Sequence, residues 1–303
     1  VGVLCVRFIR EPDKEINVMT PSRNPSPTQA TGFRDLVVFA EAGPDIAPRL
    51  AFAAQFAKRQ NAHLAAIHAL TEPVLPSSAR AMAGQSIMEA FRDQVRAEGA
   101  KVRDAVAKAA TAEGIEIEYR EAWGFAEDVA LNHARHADAI VVPQPDRQLP
   151  PDVAALGEAL VLTAGRPVIF VPNAGNFAGT AKHVVCAWNN TREAARAVAD
   201  ALPLLRAAEK VSILSIDPDN AAKRLPGADI ALHLARHGVA AEATTTYSGD
   251  LSVGDALLSR LADLGADFLV MGAYGHSRAR EAIFGGATRD VLDHMTVPVL
   301  MSH

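Results

Sequence analysis

Cysteine is scarce: two residues in a chain of 303, Cys5 and Cys186, in unrelated settings and without a CxxC or other metal-ligand spacing. That excludes a disulfide scaffold and a zinc module, and it fits a reducing cytoplasm. Aromatics make up only 5 % of the chain against 49 % hydrophobic residues overall, so the core must be built from Ala, Val, Leu and Ile. No apolar run approaches the roughly 18 residues needed to span a bilayer. Positive charge is also short. The formal net charge of −5 and a pI near 6.1 speak against a nucleic-acid footprint, which needs a basic face. The charged fraction of 21 % is that of an ordinary globular protein.

The first 33 residues differ from the rest. Val1 to Ile9 is apolar but broken by Arg7 and has no small-residue cleavage site, so it makes a poor signal peptide. Pro21-Ser22-Arg23-Asn24-Pro25-Ser26-Pro27-Thr28 has no apolar period. Residues 1–33 are expected to be a disordered leader, with Met19 a more natural start than Val1.

From residue 34 the chain repeats itself. Ala137-Asp138-Ala139-Ile140-Val141-Val142 and the later Arg166-Pro167-Val168-Ile169-Phe170-Val171-Pro172 are echoed by Ala266-Asp267-Phe268-Leu269-Val270-Met271 and Val297-Pro298-Val299-Leu300-Met301. The spacing, about 130 residues, is that of a duplicated domain; solenoid periods are ~20–50. In each copy strand-like runs alternate with helical patterns, the sign of a parallel sheet covered on both faces. Strands are predicted near 36–41, 63–70, 115–120, 138–143 and 167–172, and again near 183–188, 210–216, 239–247, 267–272 and 297–302. Helices are predicted over 47–59, 192–205, 253–264 and 288–295. The segment between the second and third strands is twice as long in the first copy, which predicts an extra helix over about 85–113. Residues 174–180 read as a short linker. The expected fold is α/β: two tandem Rossmann-like domains at 34–173 and 182–303, each a five-stranded parallel sheet with helices on both faces.

The chemistry-bearing motif lies in the second copy. Gly272-Ala273-Tyr274-Gly275 is followed by nine residues, His276 to Phe284, and then by Gly285-Gly286-Ala287-Thr288. Glycines stand where a strand ends and where a helix begins. Glycine permits close backbone approach, and a helix N-terminus offers unpaired N–H groups with partial positive charge, so the segment reads as a phosphate cradle. The bland alternative is that the glycines only shape a long loop. The first copy has Pro143-Gln144-Pro145-Asp146 instead, and proline removes N–H groups that a phosphate would need.

The pattern Gly-x2-Gly-x9-Gly resembles the nucleotide loop of the universal stress protein family, and Tyr274-Gly275-His276-Ser277-Arg278 with Phe284-Gly285-Gly286-Ala287-Thr288 is similar to its two-domain members. The resemblance covers about residues 34–303 and implies domains that pair through their last strands. It implies ATP or another adenine nucleotide as ligand, at Ala187, Asn189, Gly272, Ala273, Gly275, His276, Ser277, Gly285, Gly286, Ala287 and Thr288. Two positions depart from the family. Gly286 stands where Ser or Thr is usual, which removes a hydroxyl, and Asn189 stands where an Asp usually holds the nucleoside. Asn189 and Thr191 also suit a helix N-cap, and Arg278 and Arg280 suit either a phosphate or a solvated loop face.

His233 and His237 have zinc-site spacing, but Leu234 occupies the place of a metalloprotease glutamate; His133 and His136 lack a third ligand. No Walker A pattern and no evident base or metal pair is present. The expectation is a stress-linked, non-enzymatic nucleotide sensor in the cytoplasm, its two domains in contact and a homodimer possible, with no nucleic-acid or membrane partner. The competing expectation is an interaction module of the same fold that acts through protein partners without nucleotide, and a slow ATPase ranks last.

Overall fold

A computed structural model of the protein describes residues 8–10, 32–43, 46–72, 77–146, 149–179, 181–217, 226–275 and 286–303. In the first half β2 (Asp35–Phe39), β3 (His63–Leu70), β4 (Glu118–Trp123), β5 (Ala139–Pro143) and β6 (Val168–Val171) alternate with helices. In the second half β7 (His183–Ala187), β8 (Lys210–Ile216), β9 (Ala241–Thr246), β10 (Phe268–Gly272) and β11 (Val299–Ser302) do the same. The spatial order β4-β3-β2-β5-β6 is repeated as β9-β8-β7-β10-β11, all parallel within each half.

The halves join where β6 meets β11 antiparallel, Val299 opposite Phe170 and Met301 opposite Val168. The domains therefore pair through their last strands and share one sheet. Each half has a topological switch point, at β2/β5 and at β7/β10, and such a point opens a crevice at the strands' carboxyl ends.

The inner strands are buried on both faces, as parallel strands under two helical layers must be. Leu36, Val38, Val184, Cys186, Val270 and Leu300 serve one layer; Val37, Phe39, Ile140, Leu269 and Met301 serve the other. Some of the few aromatics pack at the junction. Phe56 of α1 (Ile46–Gln60) stacks on Phe52 and on Phe268 of the opposite half, at ring distances of 5.7 and 6.2 Å. Burying each such ring contributes about 1.5–3 kcal/mol. In the linker, Gly179 adopts φ +57, and any Cβ there would press on Gln55 and the amide of Phe56.

The repeated aspartates have one job. Asp138 accepts from the amides of Arg34 and Asp35 at 2.7 and 3.1 Å. Asp267 accepts from Lys182 and His183 at 3.0 and 2.8 Å. Each pins the start of its half's first strand.

Several sequence expectations need correction. The helix expected at 192–205 is two, α6 (Arg192–Asp200) and α7 (Leu202–Ala207), because Pro203 lies at the start of α7 and cannot continue the hydrogen-bond ladder. The extra helix α2 (Ser77–Glu113) is longer than predicted. It ends at Gly114, φ +66, with Ile115 donating back to Ala110, so the strand expected from 115 begins only at Glu118. Further helices complete the layers: α3 (Ala126–Ala134), α4 (Pro151–Ala154), α5 (Leu156–Thr163), α8 (Ala228–Arg236), α9 (Val253–Leu264) and α10 (Ala287–His294). The disorder expected of residues 1–33 lies outside the described residues except at 8–10 and 32–33. Phe8–Arg10 forms a strand, β1, parallel to β4, because an edge strand offers unpaired backbone groups that an extended segment can satisfy. Among the described residues no helix is long and apolar enough to cross a membrane.

Candidate functional site

The crevice of the second half is bounded by the carboxyl ends of β7, β8 and β10 and by the first turns of α6 and α10. Ala187 ends β7, half-buried. The chain then turns through Asn189 and Asn190, the latter at φ +58, a left-handed conformation that asparagine tolerates better than most residues. Asn189 Oδ1 accepts from the Thr191 hydroxyl at 2.8 Å and the Thr191 amide at 3.3 Å. Thr191 Oγ1 in turn accepts from Ala194 N at 3.3 Å, the N-cap of α6. Thr191 is the cap the sequence predicts, and the Asn189 carbonyl oxygen serves the same turn.

Gly272 has a reason of its own. A Cβ there would collide with the backbone of Glu193 and Ala194, so glycine lets the first turn of α6 sit directly on the end of β10. A Cβ on Gly275 would lie 3.1 Å from Glu193 Oε2. Glu193 is a residue that the motif reading did not single out. It is almost fully buried beneath the glycine segment and ion-paired to the exposed Arg192. Burial opposes its charge, but hydrogen bonding to Arg192 and to its own helix-start amide outweighs burial and holds the carboxyl below its ordinary range. An acidic residue at the first turn of α6 is the signal that could have found it.

Ala273 is wholly buried; its N–H donates to Ser302 O at 2.9 Å and its carbonyl lies 3.0 Å from His303 Nδ1. Tyr274 takes φ +56 and donates its amide to Thr288 Oγ1 at 3.3 Å, which ties the strand end to the helix that follows the arm. That helix, α10, starts at Gly286, whose φ −70 and ψ 153 are open to any residue and whose cap has no side-chain acceptor. The amides of Ala287 and Thr288 have no backbone acceptor among the described residues. Helix-start amides of this kind carry a partial positive charge. So Ala187, Asn189, Gly272, Gly275, Gly286, Ala287 and Thr288 gather at the carboxyl ends of β7 and β10, with Ala273 in the core beside them. His276, Ser277 and Gly285 lie outside the described residues, as do Arg278 and Arg280.

At the end of β8, Asp217 sits at φ +45 with its carboxylate taking the Ser248 hydroxyl and, at 2.9 Å, the Ser248 amide; these bonds lower its pKa. Ser215 is buried and its hydroxyl has no partner among the described residues. The equivalent residue of the first half is His68, whose Nδ1 is 2.8 Å from Ala40 O.

The first half fills its own crevice. Glu41 stands at the position of Asn189, 3.8 Å from His68 Nδ1. Burial raises the Glu41 pKa to about 7 against the pull of Arg49, with Asp152 and Glu98 adding to the rise. Helix α2 closes over this place because Gly99 lets it rest on His68 and Leu70. Beside it Tyr119 donates to Glu121 at 3.2 Å and Arg103 pairs with Glu121 at 2.8 Å.

The histidine pairs have other contacts. His133 and His136 bond the carbonyls of Val129 and Asn132, four residues back, at 2.8 and 2.9 Å. His233 and His237 stack on each other at 4.6 Å. Among the described residues no group of three or more metal-ligating side chains converges.

This duplicated sheet matches known proteins. The model of the universal stress protein family matches twice, over residues 33–172 and 180–303. The chain belongs to the universal stress protein family. In architecture this universal stress protein is similar to one from Archaeoglobus fulgidus DSM 4304, at 13 % identity and a TM-score of 0.66, covering 88 % of this chain and 95 % of that one. It is also similar to a putative universal stress protein from Pseudomonas aeruginosa UCBPP-PA14, at 18 % identity and a TM-score of 0.54, covering 91 % and 94 %. A protein of unknown function from Pseudomonas aeruginosa PAO1 is comparable, at 17 % identity and a TM-score of 0.54, covering 91 % and 93 %. No curated protein matches the chain in sequence.

Proposed function

We propose that this universal stress protein binds an adenine nucleotide, ATP, in the crevice of its second half and acts in the cytoplasm as a stress-linked sensor through binding, without turnover. The observation that carries the reading is the start of α10. Two helix-start amides that have no backbone acceptor among the described residues stand beside the Tyr274–Thr288 link at the carboxyl end of β10, at a switch point of a parallel sheet. The phosphates sit on this α10 side, since the Glu193 carboxylate under Gly275 repels an anion placed over it. The first half has its crevice occupied by Glu41, His68 and α2 and serves as the structural partner.

One observation favours the interaction-module reading instead: the Asn189 carbonyl oxygen already serves the α6 cap, so the nucleoside contact the resemblance implies has only its amide NH2 to use. Calorimetric titration with ATP, together with mass spectrometry of any ligand released from the purified protein, separates the two. One bound adenine nucleotide per chain with no ADP formed supports the proposal. No binding to protein stripped of ligand gives first place to the interaction module.

A further inference from the structure

The first half's loop after β5 has no glycine cradle, yet it reaches the second half's helix. Gln144 Nε2 donates to Leu292 O at 2.7 Å and, at 3.3 Å, to Asp293 O. Both are carbonyls of the last turn of α10, which intrahelical bonding leaves unsatisfied. The usual devices are missing there: Met295 follows the helix at φ −57 and ψ 137, with no glycine in the left-handed conformation to return the chain. At its other end α10 has no side-chain cap. An eight-residue helix is only about 12 Å long, so what holds one end also sets the place of the other.

Gln144 itself is held firmly. Its N–H donates to Val171 O at 2.9 Å, its Oε1 accepts from Asn173 N at 3.1 Å, and its carbonyl accepts from Asn173 Nδ2 at 3.3 Å. Because Oε1 is committed to an N–H donor, the amide must present Nε2 to α10. Pro145 follows and restricts Gln144 to extended backbone. The link runs one way. The matching residue of the second half is Ala273, which also donates to the neighbouring last strand, through Ser302 O at 2.9 Å, but whose methyl can cap nothing.

We propose that Gln144 is a positioning residue for the opposite half's nucleotide helix: the half without a cradle holds the helix that forms one. The inference rests on the reading of the α10 start as the phosphate site. It makes nucleotide binding and the contact between the halves thermodynamically linked, so that ligand must tighten the Gln144 contact as that contact tightens ligand.

The test uses the full chain in three forms. Gln144→Met keeps the size of the side chain and removes the donor. Gln144→Glu places a carboxylate against helix-end carbonyls. Asn173→Ala removes only the bond to the Gln144 carbonyl and serves as control. Without ligand, Gln144→Met should speed amide exchange in α10 roughly 2- to 12-fold, the worth of one hydrogen bond, and shift the backbone signals of Gly286, Ala287 and Thr288. ATP affinity should fall by a similar factor, further for Gln144→Glu, and stay at the parent's value for Asn173→Ala. A merely structural role would lower the melting temperature and leave the Gly286–Thr288 signals and the affinity in place, and that result overturns the proposal. So does unchanged α10 exchange in Gln144→Met. If the parent binds no ATP, the nucleotide reading fails on its own, and the ligand-free exchange and signal shifts still decide whether Gln144 positions α10.

Discussion

The two halves share strand order, register and a pinning aspartate, yet their crevices are opposites. In the first, Glu41, His68 and the long α2 close the carboxyl ends of β2 and β3, and prolines replace glycines after β5. In the second, Ser215 stands in place of His68 without a partner among the described residues, Gly272 lets α6 close in, and α10 starts at a glycine that has no side chain to cap it. A duplicated fold keeps what its sheet needs in both copies and fills the crevice with its own side chains in one. The polar plug of the first half satisfies groups at the strand ends that the second half meets with helix-start amides.

The sharpest way to break this comparison is at its glycines. Gly272→Val should destabilise the protein by about 3 kcal/mol, because the new side chain meets backbone that cannot yield. The match in the first half, Pro143, already carries a side chain, and Pro143→Ala should cost less than half as much; chemical denaturation of both variants checks this. Gly286→Val should weaken ATP binding roughly 10- to 150-fold, the loss of one charge-assisted contact, while Gly286→Ser should bind equally or more tightly. The backbone at Gly286 accepts either residue and serine is a favoured N-cap, so neither change should unfold α10, and circular dichroism alongside calorimetry shows whether that holds.

Ser215→Ala should stabilise by about 1 kcal/mol, since it removes a buried hydroxyl that bonds nothing among the described residues. A loss of stability on the same scale would show that the hydroxyl has a partner in solution.

The smallest expected effect concerns pH. Glu41 is an acid whose folded pKa lies above its unfolded value of 4.5, so its contribution is fully present below that value and is lost as pH rises through about 7. His63, raised to about 9 by Asp35 and Glu118, behaves in the same sense, with its contribution present below pH 6.5 and lost as pH rises through about 9. Glu41→Gln should therefore raise the melting temperature by about 2–4 °C at pH 8 and change it little at pH 5. The pH 8 gain should vanish if the carboxyl is solvated.

Much of the fold was legible in the sequence because parallel strands buried on both faces leave continuous apolar runs, and because Asp138 and Asp267 recur at matched places. Pro203 broke a helix that periodicity alone made continuous, and Gly114 delayed a strand. The site was legible only where glycine marks it. Gly272 turned out to answer to α6, a neighbour 80 residues away in the chain. Glu193, Glu41 with His68, and Gln144 were not singled out, since each matters through a partner that only the fold brings near; the Pro-Gln-Pro segment read as the loss of a site rather than a link to one.

The central claim is that one half binds and the other does not. Titrating ATP while following backbone signals in both halves tests it most directly. The account predicts shifts at Gly272, Gly275, Gly286, Ala287 and Thr288 that saturate at one equivalent, with Glu41 and His68 unmoved. Shifts at Glu41 and His68 equal to or larger than those at Gly286, or saturation at two equivalents, would contradict it.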